Sequence, residues 1–335
     1  MHNIEINRGY TDYLSLPSTN CIKGIFALFV MVHHLYQYSG LFHNTYLGGI
    51  LQGLGYVSVA MFFFLSGYGL HISRRTKGIA YVKSIPRNRM FPLYVQCVFL
   101  IVAYALLYLV IGKELTPVLI LQSLTWGKTI IFGGWYLQAI LVLYALYYLV
   151  YGVLEQHTAR QKEHVSHIIM FAVLVLYALL NVGLGKAITY YQSIFAFLLG
   201  ILWCDYRTVI DEILQKRWVA SFVCALMLFA ISFVVGLLFK PVTLIAAPMF
   251  VIFALIALMK LPVQCGVTRW LGKYYFEIYV MQGISLLLFH SELIHIENKW
   301  LYVLVCTLTT LLLAVAIQPV FRFISSIVKG KRTHQ

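Results

Sequence analysis

Apolar stretches of about twenty residues recur along the whole 335-residue chain, and this repetition constrains the fold more than any other feature. A helix needs about 20 apolar residues to cross the hydrocarbon core of a bilayer. Ten such stretches can be placed, and they predict an all-α integral membrane protein with about ten transmembrane helices. Their expected bounds are 21–39, 47–72, 92–112, 134–154, 166–184, 189–205, 218–239, 241–260, 270–290 and 300–324.

Composition excludes a water-soluble globule. Only 11% of the residues are charged and 61% are hydrophobic, whereas soluble domains carry about 25% charged residues. The polar segments are short, and none has the length or composition of an interdomain linker. We therefore expect a single polytopic domain over residues 1–335, without a soluble domain.

The distribution of Lys and Arg predicts the orientation in the membrane. With ten spans and the N-terminus inside, 20 of the 25 basic residues lie on the inner side. Cytoplasmic loops carry an excess of Lys and Arg, so this arrangement is favoured over its inverse. Segment 113–133 is apolar, but it contains Lys113, Glu114 and Lys128, and we interpret it as an outer loop or re-entrant piece. Both termini are then expected in the cytoplasm.

The net charge of +14 does not require a nucleic-acid partner, because basic inner loops face an anionic membrane leaflet. The lipid bilayer is the expected partner, and the expected location of this multi-pass protein is the cell membrane. The six cysteines are scattered singly and form no Cys-x-x-Cys pair. Neither a metal site nor a disulfide framework is predicted. The sequence leaves the oligomeric state open.

Ionisable residues inside membrane spans are costly, and each is therefore a candidate for function. Lys23 and His34 are eleven residues apart in the first span, which places them on nearly the same helix face, about 16 Å apart along the axis. His33 points about 100° away. The alternative roles are structural: Lys23 reaching the inner headgroups, and His34 bonding a neighbouring helix.

The loop after the second span is strongly basic. Residues 73–90 carry six basic side chains and no acidic one. Topology alone accounts for nearly half of this charge, but the cluster also suits a polyphosphate ligand. The basic residues of this loop are Arg74, Arg75, Lys77, Lys83, Arg87 and Arg89.

Glu277 is the carboxylate that we place inside the ninth predicted span. It has the i+4 spacing to pair with Lys273, which would be a structural role. The same carboxylate has the charge to anchor a catalytic or ligand-binding cation.

Five short elements, in this order, resemble those of membrane acyltransferase family 3. They are Lys23 with His34, Phe63–Tyr68, Asn88–Tyr94, Trp135–Leu137 with Tyr144, and Leu271–Tyr279. The family has two arginines three positions apart before the third span, and here these positions are Pro86 and Arg89. Arg87 must therefore take the place of the first arginine if the pair is kept. The chain also has Gln282 where many members have His. Gln138-Ala139-Ile140 stands where many members have a Glu.

The resemblance implies transfer of an acyl group, most often acetyl, from cytoplasmic acyl-CoA to a hydroxyl of a cell-envelope or exported carbohydrate. His34 would be the general base, with Lys23 assisting. Acyl-CoA would be the donor substrate, and no tightly bound cofactor is expected. The donor phosphates would be held by Arg74, Arg75, Arg87 and Arg89. Supporting positions would be Glu277, Ser66, Trp135 and Tyr136, the last two also suiting an interfacial aromatic belt.

Two other classes of function remain open. A transporter or flippase for a polysaccharide-related substrate would use the same buried polar groups to line a pathway, without CoA chemistry. A ligand-sensing or scaffold role would need neither the basic loop nor His34. A narrower alternative is the membrane half of a two-part system whose partner supplies a second catalytic step.

Overall fold

The computed structural model describes residues 9–125, 127–154 and 163–329. Within these ranges the chain is almost entirely helical, has no strand and forms thirteen α-helices. In chain order they are α1 (Leu16–Ser39), α2 (Tyr46–Lys77), α3 (Ile79–Lys83), α4 (Phe91–Val110), α5 (Pro117–Leu124), α6 (Trp135–Tyr148), α7 (Glu163–Gly183), α8 (Phe195–Lys216), α9 (Trp218–Leu238), α10 (Thr243–Leu258), α11 (Gly266–Lys273), α12 (Tyr275–Phe289) and α13 (Lys299–Lys329).

The expected all-α integral membrane protein is confirmed. In the described part of the chain, nine helices are long and apolar enough to cross a bilayer, and α12 is a shorter apolar helix of 15 residues. Large apolar side chains lie on the outside of these helices, such as Leu238 at 87% exposure and Leu312 at 71%. A soluble protein would cover such faces, whereas lipid solvates them.

Two predicted spans differ from the structure at their ends. The sixth span was expected to end at residue 205, but α8 continues to Lys216, because salt bridges accommodate the charged side chains of its second half. The ninth was expected over 270–290, but the helix is interrupted at Tyr274, so that α11 precedes α12. Arg269 and Lys273 make α11 polar on one side, which favours the membrane surface over its interior.

The described residues of segment 113–133, which are all but residue 126, contain one short helix. Helix α5 has eight residues and is about 12 Å long, far less than the hydrocarbon thickness of about 30 Å. The segment therefore does not form a spanning helix, which agrees with its interpretation as a loop or re-entrant piece. The hydroxyl of Thr116 caps α5 by accepting a hydrogen bond from the amide of Leu119 at 3.2 Å.

The chain forms two compact units, each built from three separate segments. The first unit comprises Met1–Phe26, Tyr56–Val82 and Val150–Lys273. The second comprises Ala27–Gly55, Lys83–Leu149 and Tyr274–Gln335.

The N-terminal segment is fixed in the first unit by buried polar contacts. The Tyr13 hydroxyl donates to Asp211 at 2.5 Å and accepts from the indole N–H of Trp203 at 3.0 Å. Burial and the Asp211 carboxylate raise the pKa of Tyr13, so its hydroxyl stays a donor. Arg207 bonds Asp12 at 2.7 Å and the Tyr68 hydroxyl at 3.0 Å, which ties the segment to α8 and α2.

Helices α4, α12 and α13 pack together in the second unit through hydroxyl-to-carbonyl bonds. Tyr104 of α4 donates to the carbonyl of Val280 at 2.9 Å, and Tyr302 of α13 donates to that of Leu286 at 3.0 Å. Each bond satisfies a phenol that would be costly to leave unpaired in an apolar interior. This packing holds α12 in a fixed position.

Candidate active site

His34 lies in the second unit, on the part of α1 that follows Ala27, and its side chain is partly exposed. Its Nδ1 is 3.1 Å from Oε1 of Gln37, one turn later on the same helix. The amide nitrogen of Gln37 in turn donates to Oε1 of Gln52 on α2, at 3.3 Å. We call this chain, Gln52–Gln37–His34, the amide relay.

The amide relay assigns the tautomer of the imidazole. Because Oε1 of Gln37 can only accept, Nδ1 of His34 carries the proton and donates it. The other ring nitrogen, Nε2, then carries a lone pair, and no residue in the described ranges forms a hydrogen bond with it. An imidazole held in this way can accept a proton at Nε2.

An aromatic ring packs against the imidazole of His34. The ring of Phe132 meets it edge to face, with centroids 4.6 Å apart, and Tyr38 packs on Phe132 at 5.7 Å. Gly283 of α12 allows this arrangement, since a Cβ there would collide with the side chain of Phe132. His33 is engaged elsewhere, because its Nδ1 lies 3.0 Å from the carbonyl oxygen of Leu51.

Lys23 lies on the same continuous helix as His34, as the spacing predicted, and its side chain is partly exposed. It belongs to the first unit, whereas His34 belongs to the second.

Arg87 and Arg89 lie in the second unit with His34, in a π-helical turn from Pro86 to Met90 that leads into α4. Both side chains are exposed. An anionic ligand can therefore approach both side chains.

Arg74 and Arg75 have a different environment. They end α2 in the first unit, where Glu163 of α7 accepts from Arg74 at 3.1 Å and from Arg75 at 2.7 Å. Arg75 also contacts Asp205 of α8 at 2.7 Å. The loop itself has no acidic residue, but the fold supplies carboxylates from two other helices, which a single sequence does not reveal.

A cluster of polar groups that was not predicted from the sequence surrounds Asp205 in the first unit. Its two carboxylate oxygens lie 2.9 Å from Nε2 of His71 and 3.0 Å from Nε2 of His167. The Tyr151 hydroxyl is 2.8 Å from Nδ1 of His167. We call these groups, with Arg74, Arg75 and Glu163, the Asp205 cluster. The sequence contains a signal for this cluster, since His71 and Asp205 are ionisable residues within or at the end of apolar stretches.

Three ligand atoms of the Asp205 cluster, one each from His71, Glu163 and Asp205, lie within 4.8 Å of one another. This spacing is compatible with a cation. However, the guanidinium groups of Arg74 and Arg75 already bind both carboxylates. The arrangement therefore fits a network of ion pairs better than a metal site.

The remaining predicted site residues make contacts of their own. Ser66 is on α2 in the first unit, beside Gly67, where a Cβ would collide with the backbone of Phe197 on α8. Glycine at this place lets α2 and α8 cross closely, and this gives the element around Ser66 a packing role. Trp135 and Tyr136 begin α6 in the second unit, and the ring of Tyr136 packs against that of Tyr279, with centroids 5.1 Å apart.

Glu277 is buried on α12 and lines a cavity of about 370 Å³ in the second unit. Gln96 and Arg322 line the same cavity, and Gln96 donates to the hydroxyl of Ser325 at 3.1 Å. The positively charged side chain of Arg322 and the carboxylate of Glu277 thus line one cavity.

The fold and the site define a polytopic membrane protein that holds an oriented imidazole within its helices. The family model for an acyltransferase domain matches residues 16–318, from the first residue of α1 into α13. The chain belongs to membrane acyltransferase family 3, as its motifs predicted, and it is a multi-pass membrane acyltransferase. Searches of the curated proteins and of the solved structures found no match.

Proposed function

We propose that this protein transfers an acyl group, preferably acetyl, from cytoplasmic acyl-CoA to a hydroxyl of a cell-envelope or exported carbohydrate at the cell membrane. His34 is the general base. The observation that carries the proposal is the amide relay, in which the Nε2 lone pair of His34 has no hydrogen-bond partner among the residues that the structure describes.

In the proposed reaction His34 acts first as a base and then as an acid. Nε2 takes the proton of the acceptor hydroxyl while the oxygen attacks the thioester carbonyl. The C–S bond then breaks, and the CoA sulfur receives the proton from Nε2, which restores the neutral imidazole. General acid–base catalysis of this kind contributes about 10²–10⁴ in rate.

Arg87 and Arg89 are our first choice for the donor phosphates, because both are exposed and lie in the same unit as His34. Guanidinium groups bind phosphate through paired, charge-assisted hydrogen bonds. Arg74 and Arg75 are a second choice, since a donor phosphate would have to displace Glu163 from them.

Other predicted residues take supporting roles in this proposal. Lys23 would orient the donor or stabilise negative charge from its position on α1. Trp135 and Tyr136 would offer aromatic faces for sugar stacking, and Ser66 and Glu277 would act through packing and electrostatics. No tightly bound cofactor is proposed.

The test uses the full-length protein purified into liposomes. The substrates are acetyl-CoA labelled in its acetyl group and the glycan fraction from the envelope of the producing cell, and the readouts are free CoA and label in the glycan. We expect CoA release matched by label in the glycan.

A transporter would give the opposite pattern, in which glycan crosses the liposome membrane without consumption of acetyl-CoA. That result would reject the proposed reaction. Label in lipid or protein instead of glycan would keep acyl transfer from acetyl-CoA and reject the carbohydrate acceptor.

A further inference from the structure

A polar groove lies in the second unit, between the end of α4 and the loop that contains α5. Its volume is about 410 Å³, within the range of small-molecule sites. The polar groove is lined by Tyr108, Lys113, Glu114, Gln122, Lys128 and Thr129, among others.

The chemistry of the polar groove suits a ligand with many hydroxyl groups. Hydroxyl, amide, ammonium and carboxylate groups lie side by side on its walls, and they offer both donors and acceptors. Two lysines face one glutamate, so the ionised side chains leave an excess of one positive charge. The ammonium of Lys113 lies 5.6 Å from the ring centre of Tyr108, which holds it at the wall.

The loop that forms the polar groove is held in place before any ligand binds. The Ser123 hydroxyl accepts from the amide of Ile130 at 3.0 Å. The side-chain amide of Gln138 donates to the carbonyls of Thr125 at 3.4 Å and Gly127 at 3.3 Å. A preformed groove loses less conformational entropy on binding than a loop that must fold around its ligand.

The polar groove is linked to His34 through a few residues. Ile130 lines the groove, and two positions later the ring of Phe132 contacts the imidazole. Tyr38 in turn packs on Phe132, with ring centroids 5.7 Å apart. The wall that contains Ile130 thus leads to the aromatic residues beside His34.

Helix α4 separates the polar groove from the candidate donor site. Arg87 and Arg89 precede its first residue, whereas Lys113 follows its last, and 20 residues of helix span about 30 Å. The excess of basic residues places the arginines inside and segment 113–133 outside. A groove on the outer side is accessible to a substrate that is not cytoplasmic.

We infer that the polar groove binds the acceptor, and that it selects a glycan unit bearing a negative charge, either a carboxylate or a phosphate. Lys113 and Lys128 bind the acidic group, while the remaining polar side chains bind hydroxyls. This inference rests on the proposed acyl transfer and adds the place and charge of its acceptor.

The test separates the envelope glycan of the producing cell into neutral and acidic pools by anion exchange. Acetyl transfer to each pool is measured with the wild type and with the double variant Lys113→Gln/Lys128→Gln. The matched control is Lys186→Gln, a lysine that also lies over a tyrosine ring, with its ammonium 4.8 Å from the centre of Tyr190. Binding of acetyl-CoA is measured for every variant as a check on folding.

We expect the wild type to label the acidic pool, and the double variant to raise the KM for that pool at least about tenfold, as two charge-assisted contacts are lost. Acetyl-CoA binding and the Lys186→Gln variant should match the wild type. Treating the acidic pool with phosphatase, or converting its carboxylates to amides, identifies which acidic group is bound.

Labelling of the neutral pool, or an unchanged KM in the double variant, would overturn the inference while leaving acyl transfer intact. A wild type that consumes no acetyl-CoA with either pool would instead reject the proposed function, and the acceptor site with it.

Discussion

Two polar regions of this protein differ in how completely their groups are bonded. In the Asp205 cluster of the first unit, each carboxylate is bound by at least two cationic or imidazole groups. In the amide relay of the second unit, His34 has one hydrogen bond, to a neutral amide, and its Nε2 has none within the described ranges.

This difference separates structural from reactive groups. An ion-pair network whose charged groups bind one another joins helices and stabilises the fold. An imidazole that is hydrogen-bonded at one nitrogen and can accept a proton at the other meets the requirements for a general base. The comparison predicts that mutations in the first region change stability, and that mutations in the second change turnover.

The largest effect on stability is expected for Asp205→Asn. Removing one member of a buried ion-pair network leaves its partners uncompensated, at a cost of about 3–5 kcal/mol. Thermal unfolding followed by intrinsic fluorescence should show a large drop in the midpoint, while kcat per folded molecule at low temperature stays near that of the wild type. Glu212→Gln breaks an exposed salt bridge on the same helix, with Lys216 at 2.7 Å, and should leave the midpoint unchanged. Equal midpoints for both variants would contradict the structural role of the Asp205 cluster.

A large effect on donor binding is expected for the double variant Arg87→Gln/Arg89→Gln. Hydrogen bonds to charged groups contribute about 1.5–3 kcal/mol each, so the KM for acetyl-CoA should rise by about a hundredfold. The double variant Lys77→Gln/Lys83→Gln removes the same charge from the same loop and should have little effect. If the two double variants behave alike, only the general charge of the loop matters, and specific phosphate contacts are excluded.

A smaller effect is expected for Gln37→Leu, which removes the acceptor that holds Nδ1 of His34. The imidazole then loses its fixed orientation, and small misplacements of a catalytic group cost up to about a hundredfold in rate. We expect kcat to fall by about tenfold, with the KM for acetyl-CoA unchanged, in initial-rate measurements. Gln37→Glu keeps an acceptor at this place and should retain more activity than Gln37→Leu. The reverse order would argue against the amide relay.

The smallest effect is expected for Phe132→Leu. An edge-to-face contact contributes about 0.5–1.5 kcal/mol beyond the area that it buries, and leucine keeps most of that area. We expect kcat to fall by about threefold. A loss as large as that expected for His34 itself would mean that Phe132 takes part in binding the substrate.

Much of the fold could be predicted from the sequence, because the membrane requires long apolar helices and leaves few alternatives. The ends of the helices were harder to predict. Asp205 was expected to end a span, yet α8 continues to Lys216, because Arg207 and Lys216 pair with acidic residues of the same helix and other helices supply cationic and imidazole partners for Asp205. A single sequence does not show such partners.

The candidate site was predicted only in part. The spacing of Lys23 and His34 indicated one helix face, and α1 carries both. The amide relay was missed, although the i+3 spacing of His34 and Gln37 is a signal that places the two side chains together. The contact with Phe132 is not visible in the sequence, since it joins residues about a hundred positions apart.

The most direct test of His34 as the general base compares His34→Gln with His295→Gln, which replaces an exposed histidine outside the amide relay. The Kd for acetyl-CoA and the single-turnover rate of acetyl transfer are measured for both variants in liposomes. We expect both variants to bind acetyl-CoA like the wild type, and only His34→Gln to lose about 10²–10⁴ in rate. Full transfer by His34→Gln would show that His34 is not the general base.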